Sequence, residues 1–255
     1  MDTTVVSPDG TPLHVVSGDG ADVPVVLLHG GGRTSNDWTA VAALLGALGH
    51  RAVTVDLRGH GRTPVAPWTW DAVLDDVQAV VDQLGLERPA VVGHSLGGMV
   101  AALWATEHPE CPLAVNLDGH GNPTRADQYT GLSPEVAAVA VPALDAVLWD
   151  MGRMLDPFLQ EIMRQIDDLD LFDVYARARC PLLVVRGSVS MAELLPDAAQ
   201  PAWRGYERWT ADQLTALSDS TAGLDVVFTP TAHDVHLEAP EMVVSMVHHS
   251  LSAVP

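Results

Sequence analysis

Three groups of residues in this sequence have the types and spacing that nucleophilic catalysis requires. The first is Gly93-His94-Ser95-Leu96-Gly97-Gly98, a match to G-x-S-x-G. It lies between Ala90–Gly93, which reads as a strand, and Leu96–His108, which reads as a helix ended before Pro109. In that context the serine occupies a tight strand-to-helix turn, flanked by glycines because side chains would strike the adjoining helix and strand. The N–H of Leu96, at the start of the new helix, then points to where an oxyanion would form. The second group is Leu27-Leu28-His29-Gly30-Gly31-Gly32, after the apolar run Val23–Leu28. Glycines at a strand end let backbone approach a ligand closely, and Gly31 is assigned as the second oxyanion donor. A phosphate cradle is excluded, because neither a Lys-Ser/Thr pair nor a full G-x-G-x-x-G follows. The third group runs from Thr231 to Glu241 and contains His233 and His236. A serine needs a base to take its proton at neutral pH, and imidazole has the suitable basicity. His233, nearest the end of the last strand, is assigned as that base. His236 and Glu238 are assigned to anchoring the final helix.

The elements that must hold these residues follow from the apolar pattern. Thr3–Val6 and Leu13–Val16 read as a hairpin around Ser7-Pro8-Asp9-Gly10. Val23–Leu28 is continuously apolar, as expected of a strand covered on both faces. Asp37–Leu48 reads as helix, Arg51–Asp56 as strand, Asp71–Leu84 as helix and Leu113–Leu117 as strand. From residue 119 to 179 no strand is expected, only helical segments 134–149, 151–166 and 169–178. Pro181–Arg186 and Leu224–Thr229 then read as strands, separated by a helix over 203–218 and followed by one over 240–251. This order predicts an α/β fold with a mostly parallel eight-stranded sheet and helices on both faces. A helical cap is inserted after the sixth strand, so residues 1–118 and 180–255 form the core and 119–179 the lid.

Composition narrows the function. A formal charge of −20 opposes binding to nucleic acid or to an anionic membrane. No apolar stretch is long enough for a membrane span, and the N-terminus lacks the features of a signal peptide, so a cytoplasmic location is expected. Cys111 and Cys180 each precede a proline and read as buried structural thiols. Neither CxxC nor HExxH occurs, and no metal or cofactor is expected. The expected partner is a small-molecule substrate, with a homodimer left open.

Taken together, these motifs resemble the α/β-hydrolase superfamily, in particular its lidded esterases and C–C hydrolases. The resemblance runs essentially end to end. It rests on His29-Gly30-Gly31, Asp56-Leu57-Arg58-Gly59-His60-Gly61, the Ser95 turn, Leu117-Asp118-Gly119 and the block His233…His236-Leu237-Glu238…Pro240. It implies a structural role for Asp56 and Arg58, and a place for His60 at the border of the pocket. It also implies an acid beyond the strand at 181–186, three positions after a glycine, where this chain has Ser190. A serine cannot carry the charge that orients the imidazole. Three alternatives stand: Asp118 supplies the carboxylate from the neighbouring strand end, as in haloalkane dehalogenases; Glu193 or Asp197 reaches in; or Ser95 and His233 act as a dyad.

The expected activity is that of a carboxylesterase-like serine hydrolase, cleaving an ester, thioester or related bond of a small, largely apolar substrate through an acyl-enzyme. Acyl transfer or lactonising cyclisation on the same residues is one alternative, and ligand binding on a hydrolase scaffold another. Trp38, His94, Trp149 and Met154 are expected to line the pocket, and most apolar residues of 119–179 to pack the lid.

Overall fold

A computed structural model describes residues 1–252, so the last three residues of the expected core segment 180–255 lie outside the described residues. Eight strands form one sheet: β1 (Asp2–Val6), β2 (Pro12–Ser17), β3 (Asp22–Leu28), β4 (His50–Val55), β5 (Ala90–His94), β6 (Ala114–Leu117), β7 (Leu182–Gly187) and β8 (Leu224–Thr229). Their spatial order is β1-β2-β4-β3-β5-β6-β7-β8. β2 pairs antiparallel with both β1 and β4, and the remaining pairs are parallel, as expected of a hairpin followed by strand–helix units. The chain leaves β3 toward β4 on one side and later reaches β5 on the other. That reversal opens a crevice at the carboxyl ends of the strands, the usual site for ligands in such sheets.

Among the described residues nine α-helices accompany the strands: α1 (Thr39–Ala47), α2 (Trp70–Gln83), α3 (Leu96–Glu107), α4 (Pro134–Met154), α5 (Pro157–Asp167), α6 (Leu171–Ala176), α7 (Gln200–Ser220), α8 (Val235–Glu238) and α9 (Pro240–Ser252). Helices α1 and α9 cover one sheet face, where Val41, Leu45, Val243 and Val247 meet Val25, Leu27, Val92 and Val185. Helices α2, α3 and α6 cover the other through Val73, Val77, Val100 and Val174. Apolar side chains on both faces of the sheet account for the continuous apolar run at Val23–Leu28 in β3. No helix among the described residues is long and apolar enough to cross a membrane. Cys111 and Cys180 are both buried with free thiols.

The inserted segment departs from the expected helix breaks. Residues 134–154 form one helix with Pro142 inside it, where a break near residue 150 was expected. The break falls at Asp156-Pro157 instead. The Asp156 carboxylate accepts from the N–H groups of Phe158 and Leu159, and Pro157 occupies the first helical position. Helix α4 packs on α7 through Leu144, Trp203, Tyr206 and Trp209. Ile162, Ile166, Leu171, Val174 and Tyr175, between β6 and β7, join the main core.

Candidate active site

Strand register brings the candidate residues to one edge. Leu28 pairs with Gly93, His94 with Leu117, and Leu117 with Val185. The residues that follow, His29, Ser95, Asp118 and Arg186, therefore line up along the carboxyl edge, with neighbouring strands about 5 Å apart.

Ser95 links β5 to α3 with φ 50° and ψ −114°, a left-handed conformation that costs a non-glycine residue free energy. The turn is held from outside, since the Ser95 N–H donates to the Leu117 carbonyl at 2.9 Å and the Ser95 carbonyl accepts from Met99 N–H. Two glycines make room for it. A Cβ on Gly93 would collide with the Gly97 carbonyl, and one on Gly97 with the Leu28 carbonyl. As the first residue of α3, Leu96 has an N–H without an intrahelical acceptor.

The β3 end lies against this turn. A Cβ on Gly30 would be 3.3 Å from Ser95 Cβ, and one on Gly31 would be 3.8 Å from Leu96 Cδ2. His29 fixes the stretch from below: its Nε2 accepts from Leu57 N–H at 3.0 Å, which puts the proton on Nδ1, donated to the Gly30 carbonyl at 2.7 Å. Burial lowers the basicity of His29 to a pKa of about 4, so the ring is neutral.

His233 stands on the loop after β8, with Nδ1 2.7 Å from Asp118 Oδ2. Asp118 is buried, while the His233 side chain keeps 30% of its surface exposed. The other carboxylate oxygen, Oδ1, accepts the Gly187 N–H at 3.0 Å and lies 2.8 Å from Arg186 Nη1. Burial opposes ionisation of Asp118, but the His233 hydrogen bond and the Arg186 charge outweigh it, holding the carboxyl below its usual range. Asp118 also has positive φ, 54°, with its N–H donated to the Val185 carbonyl.

Several sequence expectations about this region are corrected. His94 does not face a ligand: it is buried, and its Nε2 donates to the His233 carbonyl at 2.9 Å. It packs between the rings of His233 and His236. Trp38 is wholly buried and packs against the tilted His236 ring at 4.4 Å between centroids, because the short helical turn that carries it packs on the sheet. Trp149 and Met154 are 74% and 82% exposed, and so line no enclosed pocket. Glu193 pairs with Arg204, and Asp197 accepts from Gln200, so neither is committed to His233. Ser190 donates to Glu207 at 2.6 Å. His60 is buried against His29, Trp68 and Phe158. Arg58 forms a buried two-pronged pair with Asp76, bracing the loop after β4.

Sequence reading missed three side chains. Asn116 accepts Gly119 N–H at 2.7 Å and donates to Tyr175 Oη, which clamps the turn after Asp118. His120 places its ring 5.9 Å from that of His233, nearly perpendicular to it. Its basicity is lowered to about 3, first by burial and then by the Arg186 charge. Arg186 is the third. A polar residue inside an apolar strand was the one signal available for Asn116 and Arg186. Among the described residues, Asp118, His120 and His233 bring ligand atoms within 4.8 Å of one another. The His233–Asp118 hydrogen bond accounts for that closeness, and a divalent cation would meet the Arg186 guanidinium there.

The sequence profile described as "Alpha/beta hydrolase family" matches residues 25–246, which takes in every strand of the parallel sheet except the first residues of β3. The chain belongs to the alpha/beta hydrolase family. Among curated relatives of this alpha/beta hydrolase, the bifunctional esterase/perhydrolase DCH of Acinetobacter calcoaceticus is 35% identical over 116 residues, 43% of this chain and 41% of that protein. Epoxide hydrolase 2 of Siraitia grosvenorii is 33% identical over 125 residues, 47% of this chain and 39% of its own length. The alignments thus span about two fifths of these relatives. Among solved structures, an esterase (EaEST) from Exiguobacterium antarcticum superposes with TM-score 0.70 at 20% identity, covering 99% of this chain and 100% of that one. The enol-lactonase from Burkholderia xenovorans LB400 superposes with TM-score 0.65 at 20% identity, covering 98% and 100%. At these identities the two structures establish the shared fold.

Proposed function

We propose that this alpha/beta hydrolase is a serine hydrolase acting on an ester, thioester or related carbonyl compound, with Ser95 as nucleophile. Ser95 Oγ attacks the carbonyl carbon while His233 takes the hydroxyl proton. The N–H groups of Leu96 and Gly31 hold the oxyanion, and Asp118 keeps the imidazole oriented and stabilises its protonated form. Collapse expels the alcohol or thiol, protonated by His233. Water, activated by the same imidazole, then releases the acid. The observation that carries this reading is the 2.7 Å contact between His233 Nδ1 and Asp118 Oδ2, at the sheet edge that also carries the Ser95 turn. It favours three acting groups over a dyad, and turnover over ligand binding alone. A net charge of −20 disfavours strongly anionic substrates, so a neutral ester of modest size is the substrate class proposed.

A fluorophosphonate probe tests the assignment. Intact protein is expected to gain one adduct, mapped to Ser95, and to hydrolyse p-nitrophenyl acetate. Ser95→Ala should lose both properties while melting at an unchanged temperature. An adduct elsewhere, or ester turnover that survives in Ser95→Ala, overturns the nucleophile.

A further inference from the structure

Arg186, the fifth residue of β7, is a buried cation with one carboxylate in contact. Its side chain is 10% exposed, and its Nη1 lies 2.8 Å from Asp118 Oδ1, the oxygen turned away from His233. A buried guanidinium is costly unless a matched anion faces it. The same carboxylate therefore neutralises Arg186 through one oxygen and orients His233 through the other. A void of about 30 Å³ adjoins the guanidinium, bounded by His120, Tyr175, Tyr206 and Thr210, and supplies no second carboxylate.

The other groups facing this pair leave it in control of the local charge. His94 at the end of β5, His120 after β6 and His236 in α8 are kept neutral by burial, with basicities lowered to about 2, 3 and 4. Tyr175 of α6 and Tyr206 of α7 are pushed upward by burial and stay protonated. Asp234 follows His233 in the loop, 38% exposed, and lies 3.7 Å from Arg33 Nη1. Glu207, Arg204 and Arg208 of α7 line a cleft that Arg186 also borders, and there Glu207 is taken up by Ser190, the Met191 N–H and Trp203. The charged groups in direct contact behind His233 are thus Asp118 and Arg186.

We infer that Arg186 is a positioning residue that sets the pH range of the proposed reaction. Its charge sits against Oδ1, which the Gly187 N–H holds, and opposes the field that the carboxylate exerts on His233 through Oδ2. The acid limb of activity consequently lies lower than a carboxylate without this cation would put it. The proposal rests on the serine-hydrolase reading given above.

Removing the cation tests it. In Arg186→Met the acid limb of kcat/KM for a p-nitrophenyl ester is expected to move up by about 0.5–1 pH unit, with a lower plateau, while Arg186→Lys keeps the parental limb. Arg186→Gln serves in the same way should the Met variant fold poorly, as judged by its melting curve. A readout free of turnover is the carbon-13 NMR titration of the Asp118 carboxyl, which should move to higher pH in either neutral variant. A folded neutral variant with an unmoved limb and an unmoved Asp118 titration overturns the inference. A parental enzyme whose turnover survives Ser95→Ala sinks the serine mechanism, and the NMR titration still decides whether Arg186 holds Asp118.

Discussion

Asp118 turns one carboxylate oxygen to His233 and the other to Arg186 and the Gly187 N–H, and that arrangement makes replacement of a single atom informative. Asn in its place keeps the size but presents either an amide oxygen or an N–H to His233. It also leaves the Arg186 guanidinium buried without its anion. With the imidazole no longer held in the productive tautomer, Asp118→Asn is expected to lower kcat by about four orders of magnitude, as judged from the serine protease triad. Steady-state ester kinetics at pH 8 check this, and a loss of less than tenfold would remove Asp118 from the mechanism. Glu193→Gln and Asp197→Asn should leave kcat within twofold, since their carboxylates face Arg204 and Gln200. The proposed site was legible in the sequence as Ser95, His233 and a short choice of carboxylates. Neither Arg186 nor the burial of His94 was legible there. Both depend on which strand ends become neighbours, and the pairing of Leu117 with Val185 is a long-range register.

At the scale of elements, the β5–α3 turn is where local backbone and global packing constrain each other most tightly. Ser95 tolerates its positive φ because the β6 end and the first turn of α3 bond to its peptide groups, and because the backbone of α3 comes directly over Gly93. A methyl at Gly93 has backbone, not a flexible side chain, in its way. Gly93→Ala is therefore expected to destabilise the fold by about 2–3 kcal/mol or more, as overpacked cores do. It should also reduce fluorophosphonate labelling of Ser95 by displacing the turn. Urea unfolding midpoints read the first effect, and parental stability in Gly93→Ala would mean that α3 can shift freely. Elements of this kind were legible from composition, because glycine spacing and apolar runs mark a strand, turn and helix. The inserted helices were not, since apolar residues recur all along 134–166 and no composition shift marks Asp156-Pro157 as the break. The capping geometry at Asp156 decides the break there.

Across the whole molecule, neutral histidines are sealed beneath the site: His29, His94 and His236 are each at most 2% exposed. Burial is the first cause in all three, lowering their basicities to about 4, 2 and 4 from an ordinary value of 6.5. The unfolded chain therefore binds protons near pH 6.5 that the native protein refuses. Stability from these groups is complete above about pH 6.5 and is lost as pH falls toward about 4, at up to about 1.4 kcal/mol per pH unit for each ring. Three rings acting together would remove about 4 kcal/mol per unit at most, a large share of the 5–15 kcal/mol typical of a domain. Relief of the surface repulsion behind the −20 charge does not offset this above about pH 5, because carboxylates protonate mainly below it. The urea midpoint is thus expected to drop steadily between pH 7 and pH 5, and a flat response over that range would refute the account. His236 isolates the cause, because neither of its ring nitrogens has a hydrogen-bond partner among the described residues and its ring packs against Trp38. His236→Phe keeps a flat ring in that place while removing the titrating nitrogens. It should match or exceed the parent at pH 5 and lose part of the pH slope, His120 and the other buried rings keeping the rest, without moving the proposed Ser95, His233 or Asp118.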